Sequence, residues 1–217
     1  MADQIRADGG VGSVRRLDVT DLAAVERVLA QVIAEHGRID VLCNNAGAGA
    51  MLGQVLDVPA AVFAAVQALN LTGLYACCRA TLPHMIRQRY GRIVNMSSGS
   101  AFSLDPGESA YAASKAAVNA LTITLAKEVR ENNILVNAMS PGSARTDLNP
   151  TGTTHPRECV PTARRRDTSS DSCGSCPWSP SSTWIGQRGD SLFVRGHRFV
   201  SLSPGEGTTC HLAGCAG

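Results

Sequence analysis

Apolar positions in the first 150 residues come in two alternating kinds, short near-continuous runs and longer stretches with a helical stripe. Val14–Val19 reads as a strand with Asp18 at its end. Thr20-Asp21 is an N-cap signal, and Leu22, Val25, Val28, Leu29, Val32 and Ile33 then form one helical stripe that stops at Gly37. Ile39–Cys43 is a second strand, followed by Asn44-Asn45-Ala46-Gly47. Asp57 and Pro59 open a long helix, about 58–89, through Phe63, Val66, Leu69, Leu74 and Met85. Gly91 breaks it, and Arg92–Met96 is a third strand ending at Ser97-Ser98. An Ala-rich helix follows over 109–131, then a fourth strand, Ile134–Met139, ending at Ser140-Pro141-Gly142.

Short strands that are apolar almost throughout suit a parallel sheet covered by helices on both faces. Strand–helix alternation then implies right-handed crossovers and an α/β, Rossmann-like doubly wound fold. Asp18, Asn44-Asn45, Ser97-Ser98 and Ser140-Pro141-Gly142 all stand at strand ends of the same polarity. Open α/β sheets bind ligands along that edge, so four such clusters point to a cleft, although any one alone is also an ordinary loop.

The pattern stops near Pro150. Of the eight cysteines, five lie beyond it, together with both tryptophans. Only nine residues of 151–217 are Leu, Ile, Val or Phe, too few to build a core, and Ser, Gly, Pro, Thr and Arg dominate. The expected division is therefore residues 1–149 as the folded unit and 150–217 as a low-complexity, disordered tail. A net charge of +2, with Arg164, Arg165 and Arg166 as the one basic cluster, argues against a nucleic-acid partner. No apolar run approaches the roughly 18 residues of a membrane span, and the polar N-terminus is no secretory signal. Cys173 and Cys176, with His155, Cys159, His197, Cys210, His211 or Cys215, are the candidates for a zinc site; one C-x-x-C without a second regular pair favours no metal.

Candidate chemistry concentrates in Tyr111, Lys115 and Ser98. A phenol and an ammonium four residues apart share a helix face. The ammonium is expected to lower the Tyr111 pKa, so that the phenol exchanges a proton with an alcohol or ketone near neutral pH. Ser98, thirteen residues earlier at a strand end, can hydrogen-bond the same oxygen. Y-x-x-x-K alone is common on solvated helix faces; the strand-end clusters give it weight.

LDVTD at 17–21, NNAG at 44–47, NLTG at 70–73, IVNMSS at 93–98, YAASK at 111–115 and NAMSPGSART at 137–146 follow one another in an order and spacing that resembles the short-chain dehydrogenases/reductases. The resemblance implies an NAD- or NADP-dependent oxidoreductase that interconverts a small-molecule alcohol and ketone by hydride transfer. It makes Tyr111 the general acid/base, Lys115 the residue that binds the nicotinamide ribose, and Ser98 the group that orients the substrate carbonyl. Asn70 would hold a water of the proton relay. Asp18 would contact the adenine, Asn44, Ala46 and Gly47 the adenosine ribose and the central strand, and Pro141, Gly142 and Thr146 the nicotinamide. Structural alternatives stand beside three of these: Asp18 as a helix cap, Asn70 as a kink residue, Thr146 as a turn hydroxyl. The resemblance also implies a cytoplasmic homodimer through the helices at 58–89 and 109–131.

The chain departs from the family pattern twice. The opening strand, the glycine-rich TGxxxGxG turn and its helix are expected to be missing, so the sheet lacks its first βαβ unit and Val14–Val19 lacks an inner neighbour. The tail shows no VDGG-like end and reads like a coding sequence in another frame. The alternative function is accordingly a non-catalytic remnant of the family that binds no cofactor.

Overall fold

Asp21 caps the second helix by accepting a 3.0 Å bond from the Ala24 amide, and Gly37 ends it at φ 76°, its own amide reaching Ile33 O. Only a residue without Cβ adopts that left-handed turn cheaply, so a local signal fixes both ends of the element. The computed structural model describes residues 2–7, 9–49, 53–141, 199–203 and 209–215. In chain order the elements are α1 (Ala2–Ala7), β1 (Gly10–Arg16), α2 (Leu22–His36), β2 (Val41–Asn44), α3 (Ala60–Gln67), a π-helical turn (Ala68–Gly73) and α4 (Leu74–Gln88). There follow β3 (Gly91–Met96), α5 (Ser100–Ser103), α6 (Ser109–Val129), a 3₁₀ turn (Arg130–Asn132), β4 (Ile134–Met139), β5 (Phe199–Ser203) and β6 (Thr209–Cys215).

The sheet order is β1-β6-β5-β2-β3-β4. β2, β3 and β4 pair in parallel, with Asn44 opposite Asn95 and Met96 opposite Met139, so their polar ends meet on one edge. This is the Rossmann-like α/β architecture that the alternation implies. The expectation that the first strand lacks an inner neighbour is corrected here. β5 lies parallel to β2, Val41 opposite Phe199, and β6 fills the space to β1 in antiparallel pairing, Gly10 opposite Cys215. The backbone donors and acceptors of β2 and β1 find partners there, as buried strand edges require. Strands form within 150–217 despite its apolar-poor composition, because strand pairing needs backbone groups rather than apolar side chains. Residues 150–198 lie outside the described residues.

Two other boundaries differ. The first strand spans 10–16 rather than 14–19, leaving Leu17 and Val19 as core residues of the following turn, 2% and 1% exposed. The long helix is interrupted by the π turn at 68–73, and Arg89 at φ 51° ends α4 before Gly91 begins β3. Taken through that turn, Ala60–Gln88 is long and apolar enough to cross a membrane by length and composition, although polar residues interrupt its apolar runs. Leu74, Cys77, Cys78 and Met85 of this helix belong to the same core as Leu29, Leu42, Ile93, Val118 and Ile134, a role that demands the same composition.

Candidate active site

The strand ends assemble the site from below. β3 delivers Ser97 and Ser98, β2 delivers Asn44 and the Asn45–Gly47 loop, and α6 lies across them with Tyr111, Ser114 and Lys115 in its first two turns. Ser97 N donates to Met139 O at 2.7 Å, tying the end of β3 to that of β4.

Lys115 is 4% exposed, and its Nζ donates to Met96 O at 2.9 Å while standing 5.5 Å from the centre of the Tyr111 ring. Burial disfavours the ammonium and pulls the Lys115 pKa from its ordinary 10.5 down to about 8. Tyr111 departs from the expectation. Its pKa is raised, first by burial and further by the Glu108 carboxylate, while the Ser98 side chain, as a hydrogen-bond donor to the phenol oxygen, opposes both. The ammonium does not produce the expected lowering: Nζ is committed to a carbonyl beside the ring instead of to the phenol oxygen. Ser98 Oγ also accepts from Ser100 N at 3.3 Å.

Asn70 sits in the π turn, 1% exposed. Its Oδ1 accepts from Ala48 N at 2.9 Å, and its Nδ2 donates to Ala48 O at 3.1 Å and to Ser114 Oγ at 3.0 Å. The amide thereby laces the loop after β2 to α6. Gly47 lies in this angle: a Cβ there would stand 3.1 Å from Asn70 Oδ1 and 3.4 Å from Lys115 Nζ. Ser114, 0% exposed, passes the link on by donating to Tyr111 O at 2.7 Å. It stands within the YAASK segment, yet its role depends on Asn70, far away in sequence. Glu108 was likewise missed; its Oε2 is buried with no hydrogen-bond partner among the described residues.

Of the remaining candidates, Asn44 is 2% exposed and braces the sheet, donating from Nδ2 to Asn95 Oδ1 at 2.9 Å. Asp18 is exposed on the same edge; its Oδ1 accepts from Thr20 N and Thr20 Oγ1, and these bonds hold its carboxyl below the usual range. Ala46 and Pro141 are half-buried at the ends of β2 and β4. Gly142, Thr146 and the zinc candidates His155, Cys159, Cys173, Cys176 and His197 lie outside the described residues.

The residues present fit one half of a dinucleotide. A buried ammonium with N–H groups beyond the one used on Met96, a phenol beside it and a glycine floor suit a ribose diol and a nicotinamide. For the pyrophosphate the fit is poorer: among the described residues, no glycine-rich turn joins a strand to a helix N-terminus on this edge.

The chain is 40% identical over 149 residues to the oxidoreductase UcpA of Salmonella typhimurium, an alignment covering 68% of this chain and 56% of that protein. It is 42% identical over 134 residues to the 3-oxoacyl-[acyl-carrier-protein] reductase FabG of Thermotoga maritima, covering 61% and 53%. Among solved structures, NAD+-bound xylitol dehydrogenase superposes with a TM-score of 0.57 at 42% identity, over 58% of this chain and 48% of that one. The chain thus spans about half the length of the curated relatives it matches. With Ser98, Tyr111 and Lys115 gathered at the carboxyl edge of a parallel sheet, and residues 1–156 matching the short chain dehydrogenase family, the chain belongs to that family.

Proposed function

We propose that the chain is an NAD(P)-dependent oxidoreductase acting on a secondary alcohol or the corresponding ketone. The observation that carries this reading is the meeting of Ser98, Tyr111 and Lys115: a phenol whose pKa the Ser98 side chain draws down, with a buried lysine 5.5 Å from the centre of its ring. Lys115, Tyr111 and Pro141 would hold the nicotinamide half of the cofactor, with Asp18, Asn44, Ala46 and Gly47 toward the adenosine. When bound, the nicotinamide supplies or accepts the hydride. Ser98 Oγ donates a hydrogen bond to the substrate oxygen, and the Tyr111 hydroxyl gives that oxygen a proton in reduction and takes one in oxidation. Asn70 and Ser114 hold the first turn of α6 so that the phenol faces Ser98.

Substrate class is left broad, because the relatives' own names extend from 3-oxoacyl thioester reduction to polyol oxidation. Absorbance at 340 nm with a panel of ketones and 3-oxoacyl thioesters tests the reading; cofactor consumption dependent on a carbonyl substrate is expected. The second reading, a family remnant that binds no cofactor, draws support from the lack of a glycine-rich strand-to-helix turn among the described residues. Calorimetry separates the two, since micromolar NAD(H) or NADP(H) affinity eliminates the remnant.

A homodimer in the cytoplasm belongs to the same proposal. Phe63, Tyr75 and Ile86 on the helices before β3, and Ile123 on α6, are exposed at 42%, 48%, 39% and 37%. Exposed apolar side chains on α3, α4 and α6 favour cover by a second copy. Sedimentation at micromolar concentration is expected to give twice the chain mass; a clean monomer would refute the dimer.

A further inference from the structure

Behind the candidate site runs a buried polar chain that no proton step uses. Asn44, Asn95 and Thr122 are 2%, 0% and 1% exposed. Asn44 Nδ2 donates to Asn95 Oδ1 at 2.9 Å, Asn95 Nδ2 donates to Thr122 Oγ1 at 2.9 Å, and Thr122 Oγ1 donates to Val118 O at 2.7 Å. Cys78 Sγ also accepts from Asn44 Nδ2 at 3.2 Å, and the rest of the surroundings is apolar: Leu42, Ile93 and Val118 belong to the core. Polar groups in such a place are costly unless paired, and an all-apolar core would pack without them.

Their placement supplies a reason. Thr122 lies seven residues after Lys115 and eleven after Tyr111 on α6. At about 100° per residue those separations return to one helix face within about 20°. Asn95 lies on β3, three residues before Ser98, which stands just past the end of that strand. The Asn95–Thr122 bond therefore joins the strand that carries the serine to the helix that carries the phenol and the lysine. Apolar packing tolerates a helix sliding by a fraction of its rise; a directional bond of 2.9 Å does not. Nearer the site, apart from the Ser98–Tyr111 pair itself, the hydrogen bonds among the described residues that link the end of β3 to α6 are Ser97 Oγ to Lys115 O at 3.3 Å and Lys115 Nζ to Met96 O. The first is long, and the second ends on a side chain that cofactor binding would recruit. We infer that Thr122 is a positioning residue, which through Asn95 sets the register of α6 against β3 and so aligns Tyr111 with Ser98.

This inference rests on the reading of Ser98 and Tyr111 as the reacting pair. The test uses the whole chain with ¹³Cζ-tyrosine and follows the titration midpoint of Tyr111 by NMR, the signal being assigned with Tyr111→Phe. The charged groups that bear on this phenol, Glu108 and Lys115, are kept in every variant. Ser98→Ala removes the bond that opposes the upward shift, so the midpoint is expected to rise. Thr122→Val keeps shape and removes the hydroxyl; it is expected to raise the midpoint by at least half of that rise, while Thr122→Ser restores the native value. A purely structural role would lower the melting temperature of Thr122→Val and leave the Tyr111 midpoint in place, and that result overturns the inference. If Thr122→Val fails to fold, Thr122→Cys, similar in volume with a weak acceptor, must still raise the midpoint or the inference falls. If Ser98→Ala itself leaves the midpoint unmoved, the pair reading fails and the inference with it. A shift with Ser98→Ala but none at position 122 rejects the positioning role alone.

Discussion

Tyr111→Phe is expected to lower turnover by about 10²–10⁴-fold, the usual contribution of a positioned acid/base, with the circular dichroism spectrum unchanged. The ring keeps its packing and only the titrating hydroxyl, on which Ser98 acts, is removed. A Phe variant that retains near-native turnover disproves the assignment. The same environment sets the direction of the pH profile. Burial and Glu108 both disfavour the phenolate, so the phenol is protonated at neutral pH and poised to donate in reduction. Oxidation needs the phenolate and should speed up toward alkaline pH. Replacing Glu108 with Gln removes a negative charge that bears on Tyr111, which lowers its pKa, and the alkaline limb should move to lower pH. A limb that stays in place or moves upward contradicts this account.

Lys115→Met is expected to abolish oxidoreductase activity and to stabilise the fold at neutral pH. The ammonium is 4% exposed, with Met96 O as its hydrogen-bond acceptor. Its pKa falls from 10.5 in the unfolded chain to about 8 in the folded one. Below pH 8 both states carry the proton and the native state bears the whole penalty. Between about 8 and 10.5 the unfolded chain binds more protons, so native stability rises with pH; above that window the penalty has gone. The full effect is on the order of 3 kcal/mol at 1.36 kcal/mol per pKa unit. Loss of the Met96 bond offsets about 1 kcal/mol of it. Denaturant unfolding from pH 7 to 10.5 should therefore show a rising stability for the native chain and a flatter one for the Met variant. Equal slopes would mean that Lys115 is not held against its charge.

Much of the architecture was legible because it rests on local signals. Asp21 and Gly37 bound α2 in sequence and structure alike, and the stripe Val25, Val28, Leu29 and Val32 is its buried face. The apolar runs at 92–96 and 134–139 are strands, the first beginning one residue earlier at Gly91. Ser114 was harder, since it looks unremarkable until the π turn brings the amide of Asn70, marked in the sequence by NLTG, within reach of both Ala48 and α6. Thr122 gave no signal in the sequence, because a threonine in an Ala-rich helix has no meaning until Asn95 faces it.

By itself, the sequence determined the alternation of strands and helices, the shared polarity of their polar ends and the spacing that puts Tyr111 and Lys115 on one face of α6. These follow from periodicity and capping, which act over a few residues. Tertiary structure alone decided three things. It placed β5 and β6 between β1 and β2, because backbone pairing is indifferent to the composition that marked residues 150–217 as unlikely strand material. It keyed α6 to β3 through buried amides and hydroxyls drawn from distant segments. It also reversed the direction of the Tyr111 shift, because desolvation depends on everything packed around a group, and the lysine expected to lower that pKa turned its ammonium to Met96 O instead.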